Sequence, residues 1–153
     1  MRLLKRWIAA PTARRHDLLR DLAGDYTAEI ALAQQLREHA KQAPYPAAGE
    51  RLNEIAAAEE EHAKRLAAAI ESLGGSIPEV TRSPRGGRSH WARIMEDLRD
   101  EQSAGARYLE QAIEWETEFP EVGSLLRTLE REEHRHRVML RDLVAKSDPQ
   151  AID

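Results

Sequence analysis

The sequence predicts an all-α protein in which four long helices pack as a bundle. Charged residues make up 33 % of the 153 residues, and Phe occurs once; this composition is typical of long amphipathic helices rather than of sheets. Apolar residues recur at helical spacing in four segments, and Pro and Gly concentrate between those segments. The length fits one domain with a core of its own.

The first two segments are predicted to form an antiparallel hairpin. Helix one begins near Thr12, a suitable N-cap, and ends near Gln42, just before a Pro-Tyr-Pro turn. Helix two begins near Pro46, since proline is accepted in a first helical turn, and it ends at Gly74-Gly75. So short a connection makes the two helices antiparallel neighbours.

The last two segments predict a second hairpin, separated from the first by a long connection. Helix three runs from about Ser89 to Thr117, and helix four from Pro120 to about Lys146. Residues 74–90 are rich in Gly, Pro, Ser and Arg, which predicts an irregular crossover. Short, long and short connections favour a one-crossover bundle, with an up-down-up-down bundle as the alternative.

The two ends of the chain are predicted to lie outside the bundle of residues 12–146. Residues 1–11 are expected to form a short amphipathic helix, and residues 147–153 a C-terminal tail. The N-terminal helix is expected to pack on the bundle, with contact to a membrane surface as the less favoured alternative. Its apolar side chains are Leu3, Leu4, Trp7 and Ile8.

Composition also excludes several classes of function. Because the chain has no cysteine, it has no disulfide, thiolate nucleophile, Cys-ligated zinc or iron–sulfur site, and a cytoplasmic location is expected. A formal net charge of −4 gives no indication of nucleic-acid binding. No segment stays apolar over the ~20 residues that a helix needs to span a bilayer.

Each of the four apolar stripes is interrupted by a carboxylate. A glutamate that faces a core costs several kcal/mol unless it is paired or bound to a metal. Two of the four are followed three residues later by a histidine, and this spacing puts both side chains on one helix face. The residues are Glu29, Glu59 with His62, Glu101, and Glu133 with His136.

The four glutamates are also predicted to lie at one level of the bundle. Residues of an antiparallel hairpin lie side by side when they are equidistant from its turn. The midpoint of Glu29 and Glu59 is position 44, inside the first turn, and that of Glu101 and Glu133 is position 117, at the second. The two halves therefore repeat one unit: a lone Glu, a tight turn and Glu-x-x-His.

This repeated pattern predicts a two-metal site. Carboxylate and imidazole suit divalent iron and manganese, and four carboxylates with two neutral histidines balance the charge of two such ions. Glu59 and Glu133 are the expected bridges between the ions. A solvated face with i,i+4 ion pairs is the alternative interpretation of the charged run 59–65, but it does not explain why the pattern occurs twice.

The other histidines are predicted to lie outside the site. His134 is the nearest competitor of His136, but it is off the apolar stripe and has an arginine three residues before it. His16, His39 and His90 have no comparable setting and are expected at the surface or at helix ends.

A supporting layer around the ligands is predicted by the same spacing. Asp25 and Asp97 each precede a lone glutamate by four residues and are level with the ligand histidine of their own hairpin. Each aspartate is therefore expected to accept the free N–H of that histidine. Tyr26 and Tyr108 lie on the site face and are interpreted as packing residues, with donation of a hydrogen bond or an electron as the alternative.

The chain resembles the ferritin-like superfamily, and within it the rubrerythrin and bacterioferritin branch. The run Glu59-Glu60-Glu61-His62-Ala63 is similar to the second-helix motif of those proteins, and Glu133 with His136 to the fourth-helix motif. Glu29 and Glu101 match the lone ligands of the first and third helices. The resemblance covers about residues 12–146 and implies a di-iron four-helix bundle with one crossover.

Two features depart from the rubrerythrin pattern. Rubrerythrins typically carry a rubredoxin domain with four cysteines, so an external reductant is expected for this cysteine-free sequence. They also carry an extra carboxylate one turn before the third-helix ligand, where Leu98 stands here. From bacterioferritins the chain differs in having no methionine in the core stripes; Met95 and Met139 are interpreted as packing residues, and no haem is expected.

The resulting hypothesis is a di-iron oxidoreductase of ferroxidase or peroxidase type. Fe(II) and O2 or H2O2 would be its substrates, and the six predicted ligands its catalytic residues. The alternatives are a non-catalytic protein for iron binding, storage or delivery, a di-manganese variant, and a purely structural bundle. A homo-oligomer is compatible with the sequence.

Overall fold

A computed structural model of the protein describes residues 10–147, with side-chain burial from residue 13 onward. The four helices are α1 (Ala10–Lys41), α2 (Pro46–Ser72), α3 (His90–Trp115) and α4 (Pro120–Ser147), and the described residues form no strand. The predicted all-α, four-helix fold is confirmed. The predicted N-terminal helix and C-terminal tail fall almost wholly outside the described residues.

The helix ends follow from local sequence chemistry. Helix α2 begins at Pro46, directly after an extended Tyr45, because proline supplies the backbone angle of a first turn and needs no N–H partner there. It ends in a Schellman motif: Gly74 has a φ of 79°, and the N–H of Gly75 donates to Ile70 O at 2.9 Å. Helix α3 is capped by Ser89, whose Oγ accepts from Ala92 N at 3.1 Å.

The connection between α2 and α3 runs the length of the bundle. Its first residues lie beside the start of α1, where Gly75 meets Leu19. Its later residues lie near the end of α1, where the backbone N–H of Arg85 donates to Gln35 Oε1 at 2.9 Å. Helix α1 packs on α2 and α3, and α4 packs on α3 and α2. The crossover topology is therefore confirmed over the up-down-up-down alternative.

Two apolar clusters form the core, one toward each end of the bundle. The α3–α4 turn cluster lies at the end where α3 meets α4, and its large side chains are Leu18, Leu22, Leu66, Ile70, Tyr108, Trp115, Leu126 and Leu129. The α1–α2 turn cluster lies at the other end and contains Leu32, Leu36, Leu52, Ile55, Ile94, Leu98, Leu140 and Leu143. The layer between them holds the predicted ligands.

Within residues 10–147, no helix has the length and apolar character required to cross a membrane.

Candidate metal centre

All six predicted ligands are buried in the layer between the two apolar clusters. Five of them are at most 1 % exposed, and His136 is the most accessible at 7 %. Each helix contributes one glutamate to this layer, and α2 and α4 each add a histidine. The residues are Glu29 on α1, Glu59 and His62 on α2, Glu101 on α3, and Glu133 and His136 on α4.

One group of four ligands surrounds the imidazole of His62, and we call it position 1. The Nδ1 atom of His62 lies 2.8 Å from Glu133 Oε1 and 3.0 Å from Glu59 Oε2. Glu29 Oε2 lies farther from this nitrogen, at 3.9 Å. The four residues offer ligand atoms that all lie within 4.8 Å of one another, which is compact enough for a single cation.

A second group surrounds His136 and is called position 2. Its Nδ1 atom lies 2.5 Å from Glu59 Oε1 and 3.5 Å from Glu101 Oε1, and Glu133 completes the group. Glu59 therefore directs one oxygen to each position, and Glu133 also belongs to both groups. The imidazole rings of His62 and His136 are nearly parallel, with centroids 5.5 Å apart.

The polar atoms of the two positions fit divalent cations. Nine buried atoms of the six residues have no hydrogen-bond partner: one oxygen of Glu29, both oxygens of the other three glutamates, and Nδ1 of both histidines. Burial without partners costs free energy for each such atom. A cation at each position would satisfy them all at once, and the oxygen and nitrogen donor set suits iron or manganese.

In the metal-free site, burial and the close approach of charged side chains shift several pKa values. Burial, followed by repulsion from Glu59, raises the pKa of Glu29 and that of Glu101 well above the ordinary value. Burial opposes a charge on His62, but its contacts with Glu133 and Glu59 raise the pKa of this imidazole to about 10. The metal-free centre therefore retains protons at neutral pH that a bound cation must replace.

Position 1 receives two supporting contacts from outside its ligand group. The Tyr108 hydroxyl donates a short hydrogen bond to Glu29 Oε1. The outer nitrogen of His62, Nε2, lies 2.8 Å from Glu132 Oε2, and Arg65 pairs with the same carboxylate. The Arg65 contact, against some burial, lowers the pKa of Glu132, so a carboxylate faces the imidazole.

Glu132 was not among the residues predicted from the sequence. It lies one residue before the ligand Glu133, on α4, and reaches a histidine of the other hairpin. The predicted alternative role of Tyr108, donating a hydrogen bond to the site, is what the structure shows. Tyr26 instead packs against the α3–α4 turn cluster.

The predicted pairing of the two aspartates with the ligand histidines is not the arrangement in the structure. Both aspartates are buried, but each faces the other hairpin. Asp25 accepts from Arg107 Nε at 3.3 Å and from Gln111 Nε2 at 3.4 Å. Asp97 accepts from Gln35 Nε2 at 2.9 Å and lies 2.8 Å from His39 Nδ1. Gln35 and His39 stand six and ten positions after Glu29, and Arg107 and Gln111 stand six and ten positions after Glu101. The contact of the aspartates therefore also repeats between the two halves of the chain.

His39 corrects a second expectation from the sequence. It is 1 % exposed rather than on the surface, and its other nitrogen, Nε2, lies 2.7 Å from the carbonyl oxygen of Arg85. The residue therefore joins α1, α3 and the crossover. Of the other histidines, His16 and His134 are exposed and His90 is half-buried.

Comparison with solved structures shows the same architecture in bacterioferritins. Mycobacterium tuberculosis bacterioferritin BfrA is similar with a TM-score of 0.78 and 21 % identity over 86 % of both chains. Rhodobacter capsulatus bacterioferritin, described with a metal-free dinuclear site and heme iron, gives 0.78 and 20 % identity over 87 % of this chain and 86 % of that one. The dodecameric thioferritin of Bacteroides fragilis, a bacterioferritin-related protein, gives 0.79 and 18 % identity over 86 % of both chains.

Sequence comparison places the chain in a family. No curated protein sequence matches it significantly. The family model described as the ferritin-like domain matches residues 16–148, which include most of α1, all of α2, α3 and α4, and all six residues of the two positions. The match covers most of the chain, and the chain therefore belongs to the ferritin-like family.

Proposed function

We propose that the protein binds two iron ions at positions 1 and 2 and couples the oxidation of Fe(II) to the reduction of O2 or peroxide. The observation that supports this proposal is the overlap of the two ligand groups through Glu59 and Glu133. Shared carboxylates hold two cations side by side, so that one small oxidant can meet both.

Bound iron would supply the electrons for this reaction. Two Fe(II) ions release two electrons, which with two protons reduce O2 to H2O2, or H2O2 to two water molecules. The residues of the chain bind and orient: Glu29 and Glu101 each serve one position, and the neutral histidines present Nδ1. The apolar clusters on either side exclude bulk water, which strengthens the attraction between carboxylates and cations.

Two cavities are lined in part by ligands of the centre, and we propose them as the routes by which small molecules enter. A cavity of about 400 Å³ lies between α1, α3 and the crossover, and Glu29 is part of its lining. A second, of about 240 Å³, lies between α2 and α4 and is lined by His136. Both are large enough for Fe(II), O2 or peroxide.

Iron storage or delivery without turnover is the second candidate function. It is favoured by the structural likeness to bacterioferritins, one relative of which is described as dodecameric. For this chain we propose a homo-oligomer as well, since Leu109 and Ile113 are exposed on α3 and Val138 on α4. The same centre would then load iron for the assembly, and a di-manganese form is the remaining variant.

Anaerobic titration with Fe(II), followed by addition of O2 or H2O2, tests the proposal. We expect two ions per chain and catalytic consumption of oxidant with excess Fe(II). Glu59→Gln and Glu133→Gln should each abolish the paired site. Glu61→Gln changes an exposed residue of α2, the helix of Glu59, and should leave the site intact. Two bound ions without turnover would support storage, and no uptake of iron or manganese would overturn the proposal.

A further inference from the structure

The two metal positions are related by the internal repeat of the chain but differ in their surroundings. Glu29 and His62 of position 1 correspond to Glu101 and His136 of position 2. The partner of His62 is Glu132, the residue before the bridging Glu133. The residue that corresponds to Glu132 is the one before Glu59, and it is Ala58.

The outer nitrogens of the two histidines consequently meet different environments. Nε2 of His62 has a carboxylate at 2.8 Å, and Arg65 holds that carboxylate in place. His136 faces the cavity between α2 and α4, where Ala58 is part of the lining. Among the described residues, none makes a hydrogen bond to Nε2 of His136.

The lone glutamates of the two positions also differ in their hydrogen-bond partners, and again position 1 has the additional contact. The Tyr108 hydroxyl donates to Glu29, while neither oxygen of Glu101 has a hydrogen-bond partner. Tyr108 stands seven residues after Glu101, and the corresponding residue, seven after Glu29, is Leu36, which has no donor. Both unshared ligands of position 1 are therefore oriented by a neighbour, and both unshared ligands of position 2 are not.

We infer that position 1 binds its ion more tightly and fills first, and that position 2 holds the exchangeable ion. A carboxylate on the outer N–H of a ligand histidine fixes the tautomer that offers the other nitrogen to the metal, and it makes that nitrogen a stronger donor. Loss of such a partner typically costs 10–100-fold in metal affinity. Glu132 and Tyr108 are thus positioning residues that make the two halves of a repeated site unequal.

This inference rests on the proposed two-metal centre, and the following test distinguishes failure of the inference from failure of the proposed function. Crystals of the protein loaded with one equivalent of Co(II) are measured for anomalous scattering. We expect density beside His62 and Glu29 at several times the occupancy beside His136 and Glu101. Equal occupancy, or preference for position 2, would overturn the inference while leaving the two-metal site intact. No uptake of Co(II), Fe(II) or Mn(II) would overturn the proposed function itself.

Variants then identify the cause of the difference. In calorimetric titration with Co(II), Glu132→Ala should weaken the tighter binding step by 10–100-fold and leave the weaker step unchanged. Tyr108→Phe, which removes only the hydroxyl, should weaken the same step by less. Glu61→Gln removes an exposed negative charge on the same helix as His62 and should change neither step. A variant that weakens both steps equally would contradict the assignment.

The reverse substitution gives an independent check that does not depend on losing a contact. Ala58→Glu places a carboxylate where the repeat expects the partner of His136, in a cavity of about 240 Å³. We expect it to strengthen the weaker step by about tenfold and to bring the occupancies at one equivalent of Co(II) closer together. Unchanged occupancies in a folded Ala58→Glu protein would show that the outer carboxylate does not set the order of filling.

Discussion

The apolar turn clusters and the ligand layer between them are buried to the same degree, but their side chains are satisfied in different ways. In the clusters, apolar side chains are fully buried, such as Leu22 and Leu126 in one and Leu52 in the other, so folding alone completes their contacts. In the layer, nine buried ligand atoms make no hydrogen bond, although Nδ1 of each histidine lies close to a glutamate oxygen. The clusters therefore stabilise the fold unconditionally, whereas the layer would need a cation to satisfy all of its buried polar atoms.

The largest expected effect is the change in stability on metal loading. Each ion present at 1,000 times its dissociation constant adds about 4.1 kcal/mol to the free energy of unfolding, so two ions add roughly 8 kcal/mol. Chemical denaturation under anaerobic conditions with and without Fe(II) measures this. The Glu59→Gln protein is the control and should lose most of the gain. An unchanged midpoint in the unaltered protein would show that a cation adds no stability to the ligand layer.

Truncation in either apolar cluster should cost stability whether or not metal is present. Leu126→Ala and Leu52→Ala each remove a fully buried side chain, which typically costs about 2–5 kcal/mol. Denaturation of each variant in metal-free and metal-loaded form provides the measurement. If the cost appeared only with metal bound, the clusters and the layer would not be energetically separate.

The pH dependence of metal binding should come from the layer. Because the pKa of His62 is about 10 in the metal-free protein, above its ordinary value, this proton stabilises the metal-free fold below pH 6.5, and the contribution is lost as pH rises through 10. A cation displaces the proton, so affinity should rise between these limits, by about tenfold or 1.4 kcal/mol per pH unit for each proton released.

Calorimetry of Co(II) binding in buffers with different heats of ionisation counts these protons directly. We expect at least one proton released per chain at pH 7. A binding heat that is independent of the buffer would show that the ligands carry no protons to lose, contrary to the protonation expected for His62.

The smallest expected effect is a gain in stability from removing a ligand. Burial and the neighbouring Glu59 raise the pKa of Glu101, so this side chain is unfavourable in the metal-free layer. Glu101→Gln should therefore stabilise the metal-free protein by about 1 kcal/mol while weakening binding at position 2. Thermal denaturation of both forms measures it, and Glu61→Gln should stay within about 0.5 kcal/mol of the unaltered protein. Destabilisation of the metal-free form would show that Glu101 is not unfavourable in the metal-free layer.

Sequence patterns could predict the helices and the ligand layer because both depend on short-range regularities. Helical period assigns each residue to a face, and a turn of a few residues fixes which residues of a hairpin are level. These two rules bring Glu29 to Glu59 and Glu101 to Glu133 without any knowledge of how the hairpins dock.

Several contacts that cross from one hairpin to the other could not be derived from the spacing within a hairpin. Glu132 reaches His62, Asp97 reaches His39, and Tyr108, for which a hydrogen bond was the alternative role, reaches Glu29. Distance from a turn gives no register between helices joined by a long crossover, so this rule pairs each aspartate only with a histidine of its own hairpin. The repeat does carry a signal for these contacts. In each half, polar residues stand six and ten positions after the lone glutamate. Such a match favours a contact of each aspartate with the opposite half.

The proposed two-metal site would also connect the two hairpins, in addition to the crossover that joins them along the chain. It is the only covalent link between the hairpins, yet each position draws three ligands from one hairpin and one bridging glutamate from the other. Two bound ions would thus act as a second, reversible crosslink in parallel with residues 73–89. A chain cut within the crossover would keep all six ligands on two fragments, and we expect those fragments to stay associated while the ions are bound and to separate more readily after chelation.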